Sequence, residues 1–385
     1  MITIAPFKGL RPEVQVAKSV ASRPYDVLNS KEAKVEAQGN PNSFLHITKS
    51  EIDLAADIDT HSAQVYEKAK ENLSAFISRG ILFKESKACY YLYKLQMNNH
   101  SQAGLVCVSS VNDYENGLID HMMAIGAQTG NVFLAYKNVA AIDELLNKWM
   151  HEKNCQYHFI SEDNVTRSIW VINGDATIAS ITQLFKTQVP VSYIADGHHR
   201  AASAAKVRKA LGKNAPLAAG YFLTTLFPAN QLAILDYNRV IKDLNGLNAE
   251  DFLQKLEQNF TIENQTAIYK PEAPQQFGIY LEKQWYKLTA KPGTWKQDPI
   301  GILDVSIMQE HILTPLLGIT DQRTDVRIDF VGGIRGLKEL EKRVDSGEMK
   351  LAISLYPVSM QQLFAVADSG DVMPPKCTWF EPKLR

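Results

Sequence analysis

The chain has 385 residues, 45% of them hydrophobic and 22% charged, which is the composition of a globular protein with a large core. Its 41 basic and 42 acidic residues leave a formal net charge of −1, which argues against binding nucleic acid or an anionic membrane by bulk electrostatics. No apolar run is long enough to span a membrane, no secretory leader is visible, and the four cysteines are scattered without a CxxC pair. We therefore expect a soluble, cytoplasmic protein with free thiols.

The first half of the chain predicts a mixture of helices and strands. A serine suited to an N-cap predicts a short helix at 30–38, ended by Gly39 and Asn40. Apolar residues at helical spacing predict an amphipathic helix at 61–80 that stops at Gly80. "CYYLYKLQM" and "AGLVCVSSV" predict a β-hairpin around the polar turn "NNHSQ". Strands at 168–172 and 191–195 flank a helix at 176–187, which is a βαβ-like rhythm.

The order of predicted elements changes after "LAILDYNRVIKDL". Helices are predicted at 249–260 and 304–318, with a hairpin in "QFGIYLEKQWYKLT" between them and a strand, glycine turn and helix in "DFVGGIRGLKEL" after them. We expect an α/β fold of mixed α+β character. Its predicted parts are a core at 1–245 and a C-terminal α+β subdomain at 246–385.

The stretch "YIADGHHRAASAAKV" carries the strongest chemical signal. An apolar strand ends at Ala195, Asp196 and Gly197 form a tight turn, and an alanine-rich helix follows. A strand–turn–helix of this kind directs backbone amides and the positive end of the helix dipole at one point, which is a ready-made anion site. Arg200 in the first helical turn can bind a phosphate through two hydrogen bonds, and His198 or His199 can donate a hydrogen bond or move a proton near neutral pH.

Two other interpretations of this stretch stay open. Asp196 could merely cap the helix while the histidines pack as ordinary side chains, although capping does not explain the basic residues behind it. Zinc is the other alternative, but adjacent histidines point apart and no matching carboxylate cluster accompanies them. We therefore assign no metal ligands in this stretch.

Basic residues near the start of the chain suggest a second clamp. Lys8 and Arg11 surround a glycine, and "SRPYD" adds Arg23 and Asp26. These residues could bind a phosphate or carboxylate, or could equally form a solvated basic edge. Asp26 follows a proline that stiffens the chain and could act as a general base or Mg²⁺ ligand.

Two cations of the C-terminal half are candidate substrate contacts. Arg239 in "DYNRV" is predicted to follow a strand and could reach the same cleft, or form a surface salt bridge. Two prolines in "MPPKCTWFEPK" preset an extended path that projects Lys376 and Lys383, with Trp379 and Phe380 as anchors. We take Lys376 as the substrate candidate of this segment.

The quoted turn resembles the strand–Gly–His–Arg–helix element of the ParB/sulfiredoxin superfamily, whose members bind nucleotide phosphates there. The whole chain resembles more closely the family known as domain of unknown function 1015. The shared stretches are "PFKGLRP" (6–12), "SRPYDVL" (22–28), "NPNSFLHI" (40–47), "ADGHHRAASAA" (195–205), "LDYNRVIKDL" (235–244), "TDVRIDFVGG" (324–333) and "VADSGDVMPPKCTWFEPKL" (366–384). This resemblance implies a ParB/sulfiredoxin-like nucleotide-binding core and similarity to kinases that phosphorylate free L-serine with a nucleotide and Mg²⁺.

One departure from the family lies in the middle of the chain. Members usually continue the "DYENGLI" segment with a stretch of the type HExTxxxKExDR, whereas here Ile119 runs directly into Asp120 and His121. Either the stretch has been lost or residues are omitted at this point. We favour the second alternative, because a mobile lid over a phosphate site commonly goes unobserved.

The leading hypothesis is a small-molecule kinase that uses Mg²⁺ with ATP or ADP. Asp196, His198, His199, Arg200 and Asp26 form its predicted catalytic set. Gly197, Lys8, Arg11 and Arg23 complete its phosphate site, and Arg239 and Lys376 contact the acceptor. The expected partners are a nucleotide and a small-molecule substrate, and the chain could also form a homo-oligomer. We expect no binding to nucleic acid or to a membrane. The alternatives are a ParB-like nucleotide-binding regulatory module without turnover and a phosphate-ester hydrolase.

Overall fold

The computed structural model describes residues 1–111 and 120–384 and has two compact units. The first unit is Met1–Leu232 with the residues from Pro382 onward, and the second is Ala233–Glu381. The mixed α/β class predicted from the sequence is confirmed. The predicted domain boundary at 245 stays a prediction. Ile119, and with it the expected gap, lies outside the described residues.

The first unit is built on one large mixed sheet. The strands of this unit are β1 (Ile4–Ala5), β2 (Leu10–Pro12), β3 (Leu82–Lys84), β4 (Tyr90–Met97), β5 (His100–Ser110), β6 (Val132–Tyr136), β7 (Tyr157–Ile160), β8 (Thr166–Ile172), β9 (Tyr193–Asp196) and β10 (Tyr221–Pro228). Of these, β2 and β3 pair with each other in a separate two-stranded sheet. Its helices are α1 (Ala17–Val20), α2 (Ser30–Ala37), α3 (Leu45–Thr48), α4 (Ala63–Ser78), α5 (Asp120–Ile125), α6 (Ala140–Glu152), α7 (Asp175–Gln188) and α8 (His198–Leu211).

The strand order of this sheet is β7-β8-β4-β5-β10-β6-β9, with β1 also paired to β5. Strands β6 and β10 run parallel, and the other described pairs are antiparallel. The predicted β8–α7–β9 succession is present, but four strands separate β8 from β9 in the sheet. Sequence order therefore does not make these two strands neighbours.

Helices α6, α7 and α8 cover one face of the sheet. Phe185 of α7 and Ala201 and Ala204 of α8 share a buried cluster with Leu134 of β6 and Phe222 of β10. The small alanine side chains let α8 lie close against the sheet, as the alanine-rich sequence predicts. This packing fixes the start of α8 relative to the end of β9.

The second unit contains an antiparallel sheet with the order β13-β15-β14-β17-β12-β16 and a separate β11–β18 pair. Its strands are β11 (Ala233–Leu235), β12 (Tyr237–Ile241), β13 (Phe260–Gln265), β14 (Gln276–Leu281), β15 (Gln284–Ala290), β16 (Ile328–Gly332), β17 (Leu351–Leu355) and β18 (Trp379–Glu381). Its helices are α9 (Ala249–Leu256), α10 (Asp304–Met308), α11 (Lys338–Asp345) and α12 (Met360–Asp368).

The two faces of this sheet have separate cores. Val240 packs with Leu340 of α11, whereas the next residue, Ile241, packs with Phe252 of α9 and Val366 of α12. This alternation is the period of two that a strand covered on both faces requires. The helix predicted at 304–318 is shorter than expected, because α10 passes into a π-helical turn at Gln309–Leu313.

Two simple expectations can be compared with the described residues. All four cysteines are free, as predicted. No helix within residues 1–111 and 120–384 has the length and apolar character needed to cross a lipid bilayer.

Asp304, the first residue of α10, is a buried carboxylic acid in the second unit. It is 6% exposed, and its Oδ1 accepts a hydrogen bond of 2.8 Å from the backbone amide of Gln275. Burial disfavours the carboxylate and raises the pKa of Asp304 from 3.8 to about 7, although the Gln275 hydrogen bond acts in the opposite direction.

We expect the stability of this unit to fall as the pH rises. The pKa of Asp304 is about 7 in the folded state against 3.8 for an ordinary aspartate, so the native state holds this proton more tightly. The stabilisation is complete at a pH below 3.8 and is lost as the pH rises through about 7. The loss is on the order of 4 kcal/mol at most. Asp304→Asn should remove this dependence from urea-unfolding free energies measured between pH 4 and 8.

Asp298→Asn is the matched control. Asp298 is exposed and accepts amide hydrogen bonds from Ile300 and Gly301 in the turn before α10. Its substitution removes no buried charge and should keep the wild-type pH profile. An unchanged profile in Asp304→Asn would contradict the assignment.

Candidate functional site

The predicted anion site begins where β9 ends and α8 starts. Gly197 is the only residue between them, and it has a left-handed backbone with φ +92° and ψ +26°. Such a conformation costs glycine nothing, whereas residues with a Cβ rarely adopt it. Strand β6 lies beside β9, with Phe133 opposite Asp196, so the segment before β6 reaches the same turn.

Helix α8 starts without a side-chain cap. The Asp196 carboxylate accepts a hydrogen bond from the Gly197 amide at 2.9 Å, and the Arg200 amide donates to the Gly197 carbonyl at 2.9 Å. Within the described part of the chain, the amides of His198 and His199 have no hydrogen-bond acceptor. Uncapped amides at the positive end of a helix are the usual donors to a bound anion.

The Arg200 side chain folds back over this turn. Its Nη1 donates to the Asn131 carbonyl, and its Nη2 lies 3.6 Å from Oδ2 of Asp196. Glycines make room on two sides: a Cβ at Gly197 would lie 3.1 Å from Arg200 Cζ, and a Cβ at Gly130 would lie 3.1 Å from Arg200 Cδ. The guanidinium is thus held in a slot between the turn and the segment before β6.

The two histidines differ from the arginine in exposure. Both His198 and His199 have exposed side chains. The protein atoms around His198, together with the neighbouring His199, disfavour the imidazolium and lower the pKa of His198, although the Asp196 carboxylate acts in the opposite direction. A neutral His198 at neutral pH can accept a proton.

Arg200 lines a small cavity in the first unit. The cavity has a volume of about 100 Å³, and Arg23 lies on it together with Arg200. The other lining residues include hydroxyl groups and the segment before β6: Ser22, Pro24, Tyr25, Phe44, Thr48, Thr129, Gly130, Asn131 and Leu384. The structure therefore brings together two of the predicted cations, Arg23 and Arg200. Thr129–Asn131 were not among the predicted site residues, although "TGN" before an apolar strand was an available signal.

The remaining N-terminal candidates lie elsewhere or are only partly described. Arg11 does not line this cavity: its Nε lies 2.5 Å from Glu85, its Nη1 donates to the Tyr157 hydroxyl at 2.6 Å, and its guanidinium lies over the Phe83 ring. This pairing does not favour its predicted phosphate role, which stays a prediction.

Lys8 and Asp26 can be placed only in part. Lys8 is exposed and does not line the cavity. The Asp26 backbone belongs to the turn Tyr25–Val27, while its side chain is outside the description. Arg23 lies on the cavity but pairs with Glu36.

The sequence predicted that Arg239 follows a strand. In the structure Arg239 instead lies inside β12 and is fully buried. It donates to Gln322 at 3.0 Å, to the Lys376 carbonyl at 2.8 Å and to the Tyr237 carbonyl. Desolvation lowers the pKa of Arg239 to about 10. A surface salt bridge is therefore wrong for Arg239, because its guanidinium is enclosed by the second unit's own groups.

Lys376 has a left-handed backbone (φ +55°), and its Nζ lies 5.8 Å from the centre of the Phe330 ring. The substrate roles proposed for Lys376 and Arg239 stay predictions.

A metal would have to bind with few protein ligands. Among the described residues, no three histidine, cysteine or acidic side chains cluster as a metal site. Mg²⁺ commonly binds one or two carboxylates and completes its shell with water and substrate phosphates, so this finding is compatible with the Mg²⁺ that was predicted. Asp196, with a side chain 41% exposed, is the described carboxylate at the turn that suits this arrangement.

Comparison with known proteins gives a family match. The family described as "Protein of unknown function (DUF1015)" matches residues 4–306. No curated protein matches the chain.

Several solved structures resemble the chain distantly. A free serine kinase in complex with AMP is 11% identical, with a TM-score of 0.30 over 66% of this chain and 88% of that one. A conserved hypothetical protein from Pyrococcus furiosus is 13% identical, with a TM-score of 0.32 over 72% and 90%. SbnI from Staphylococcus aureus, truncated at its C-terminus, is 12% identical, with a TM-score of 0.31 over 73% and 84%. These scores are too low for the likenesses to carry an argument.

The slot around Arg200 makes a prediction about stability. Gly197→Ala should lower the free energy of unfolding by more than the ~1–2 kcal/mol of a left-handed alanine, because its Cβ also meets the guanidinium. Gly80→Ala is the matched control, since Gly80 has φ +69° and a Cβ there meets no atom within 4 Å. Urea unfolding of both variants measures the difference.

A double variant separates the two contributions. Arg200→Ala combined with Gly197→Ala should reduce the cost of the Gly197 substitution to that of Gly80→Ala. If the cost persisted in the absence of Arg200, the proposed slot would be wrong.

Proposed function

The chain belongs to the DUF1015 family, and we propose that it is a phosphotransferase that moves a nucleotide phosphoryl group to the hydroxyl of a free amino acid. L-serine is the acceptor that the family resemblance implies. The observation that carries the proposal is the turn at Gly197, which leaves helix amides uncapped and over which the Arg200 guanidinium folds back. Fixed donors of this kind stabilise phosphoryl charge without reorganisation during the reaction.

The size of the cavity limits what can enter it. Its volume of about 100 Å³ is far below that of a pocket for a whole drug-sized ligand. Such pockets have ~300–1,000 Å³, while one water molecule takes ~30 Å³ of the liquid. A phosphoryl group or a small amino acid has the size of this cavity. The nucleoside would lie outside it, beyond the exposed start of α8.

In the proposed reaction, the acceptor hydroxyl oxygen attacks the terminal phosphorus and forms the new O–P bond. The bond from phosphorus to the bridging oxygen breaks, and the shortened nucleotide leaves with that electron pair. The hydroxyl proton passes to a base. The sequence candidate for this base is Asp26, the next residue in the chain after the cavity-lining Tyr25. His198, with its lowered pKa, is the alternative proton acceptor.

Each cation has a defined task in this scheme. Arg200 would hold the phosphoryl oxygens beside the amides of α8, and Arg23, which lines the same cavity, would add a second positive charge. Mg²⁺, when bound, would neutralise nucleotide phosphate charge, and Asp196 is the described carboxylate suited to hold it.

Arg200→Ala tests the proposal. The purified full chain is incubated with Mg-ATP or Mg-ADP and a pool of free amino acids, and products are identified by mass spectrometry. We expect O-phosphoserine with the wild type, and a loss of about 10²–10³-fold in turnover for Arg200→Ala, as for other preorganised charge-stabilising groups. Thermal unfolding of the variant checks that it remains folded.

Arg208→Ala is the matched control, because Arg208 lies two turns along the same helix and donates to the Gly212 carbonyl at 2.9 Å. It should turn over like the wild type. Nucleotide retained without any product would instead favour a regulatory module, and phosphate released without an acceptor would favour a hydrolase. A fully active Arg200→Ala would place the phosphate site elsewhere.

A further inference from the structure

We propose that Pro382–Leu384, here called the tail segment, forms a wall of the phosphate site, and that Lys383 is a positioning residue for Asp196. This inference rests on the proposed function and deepens it. The tail segment follows β18 of the second unit, yet it belongs to the first unit. The chain thus returns to the unit that holds α8.

Arg167 of β8 anchors the tail segment. Its guanidinium, in a residue that is 1% exposed, donates to the Lys383 carbonyl at 3.0 Å. It also donates to Tyr93 and Ser161 at 2.8 Å each and pairs with Asp163 at 2.8 Å. A buried charge is costly unless its hydrogen bonds are satisfied, so losing the hydrogen bond from the Arg167 guanidinium to the Lys383 carbonyl would be unfavourable.

The Lys383 side chain extends from this anchored backbone to the turn. Its Nζ lies 3.7 Å from Oδ2 of Asp196, the same oxygen that lies 3.6 Å from Nη2 of Arg200. Two cations therefore share one carboxylate oxygen, and Lys383 restrains Asp196 from an anchored segment outside helix α8. The Lys383 and Asp196 side chains are 26% and 41% exposed, so this pair contributes little to folding stability.

The next residue completes the wall. Leu384 is 9% exposed and lines the cavity that Arg23 and Arg200 also line. Its position follows from the preceding carbonyl that Arg167 holds. The tail segment thus contributes a cation beside the turn and an apolar surface on the cavity.

This arrangement predicts a change in nucleotide affinity. Without Lys383, Asp196 would pair more closely with Arg200 and compete with the phosphate for its guanidinium. Lys383→Met should therefore weaken ADP binding about tenfold and raise the nucleotide KM by a similar factor, with kcat changed much less. Lys383→Arg keeps the charge and should restore most of the affinity.

The experiment compares equilibrium ADP binding, by calorimetry, with amino acid phosphorylation by the same full-length proteins. Lys87→Met is the matched control, because Lys87 also pairs with an aspartate, Asp175, at the start of another helix, α7, at 2.5 Å. It should bind ADP like the wild type. Arg167→Lys, which keeps the charge but loses the fork, should weaken ADP binding in the same direction as Lys383→Met.

The outcomes separate the two proposals. If the wild type binds ADP and phosphorylates an amino acid, and Lys383→Met binds ADP equally well, the tail inference is overturned and the proposed function stands. ADP binding that falls in Lys383→Met, with no phosphorylation by any variant, would support the tail inference and overturn phosphoryl transfer. A wild type that binds no ADP would overturn both. Should Arg167→Lys fail to fold, the Lys383 variants alone decide.

Discussion

The site depends on the left-handed backbone of Gly197. Because φ is +92° there, the chain leaves β9 and enters α8 through one residue, and Arg200 in the first helical turn can fold back over that residue. The pairing of β6 with β9 then brings Asn131 within hydrogen-bonding reach of the guanidinium. Close packing of Ala201 and Ala204 on the sheet holds the helix in this position. One backbone conformation and one strand pairing thus determine where the cation and the helix amides meet.

Each unit contains a fully buried arginine, and the two guanidiniums differ in the groups that compensate their charge. Arg167 has a carboxylate partner, Asp163, and uses its other donors to hold the Lys383 carbonyl and two hydroxyl groups. Arg239 is surrounded by an amide oxygen, two backbone carbonyls and two aromatic rings, and burial lowers its pKa to about 10, still above neutral pH. Each guanidinium connects segments of its own unit that are distant in sequence, and buried hydrogen-bond networks whose donors are satisfied make a core more rigid.

Local signals in the sequence were sufficient for the turn and for several elements. The apolar strand, the glycine and the alanine-rich helix around Gly197 are contiguous, so their pattern specifies the geometry directly. The partners of the arginines are not contiguous. Arg11 and Arg23 both stand beside a proline, yet Arg11 pairs with Glu85 of the segment after β3, whereas Arg23 pairs with Glu36 of α2 and also reaches the cavity. Only the tertiary fold distinguishes them, and the same limit applies to Arg239, whose burial no spacing reveals.

The position of Arg200 itself argues for an anion. A cation in the first turn of a helix faces the positive end of the dipole, which costs ~0.3–1 kcal/mol, and the favourable place for basic residues is the last turn, where Arg208 and Lys209 stand. Asp196 offsets part of that cost at 3.6 Å, and its other oxygen accepts the Gly197 amide rather than the amides of His198 and His199, so simple capping does not account for those two amides. A bound phosphate would accept from those amides and from Arg200 together. The proposed ligand is therefore the group that makes this costly arrangement of donors favourable.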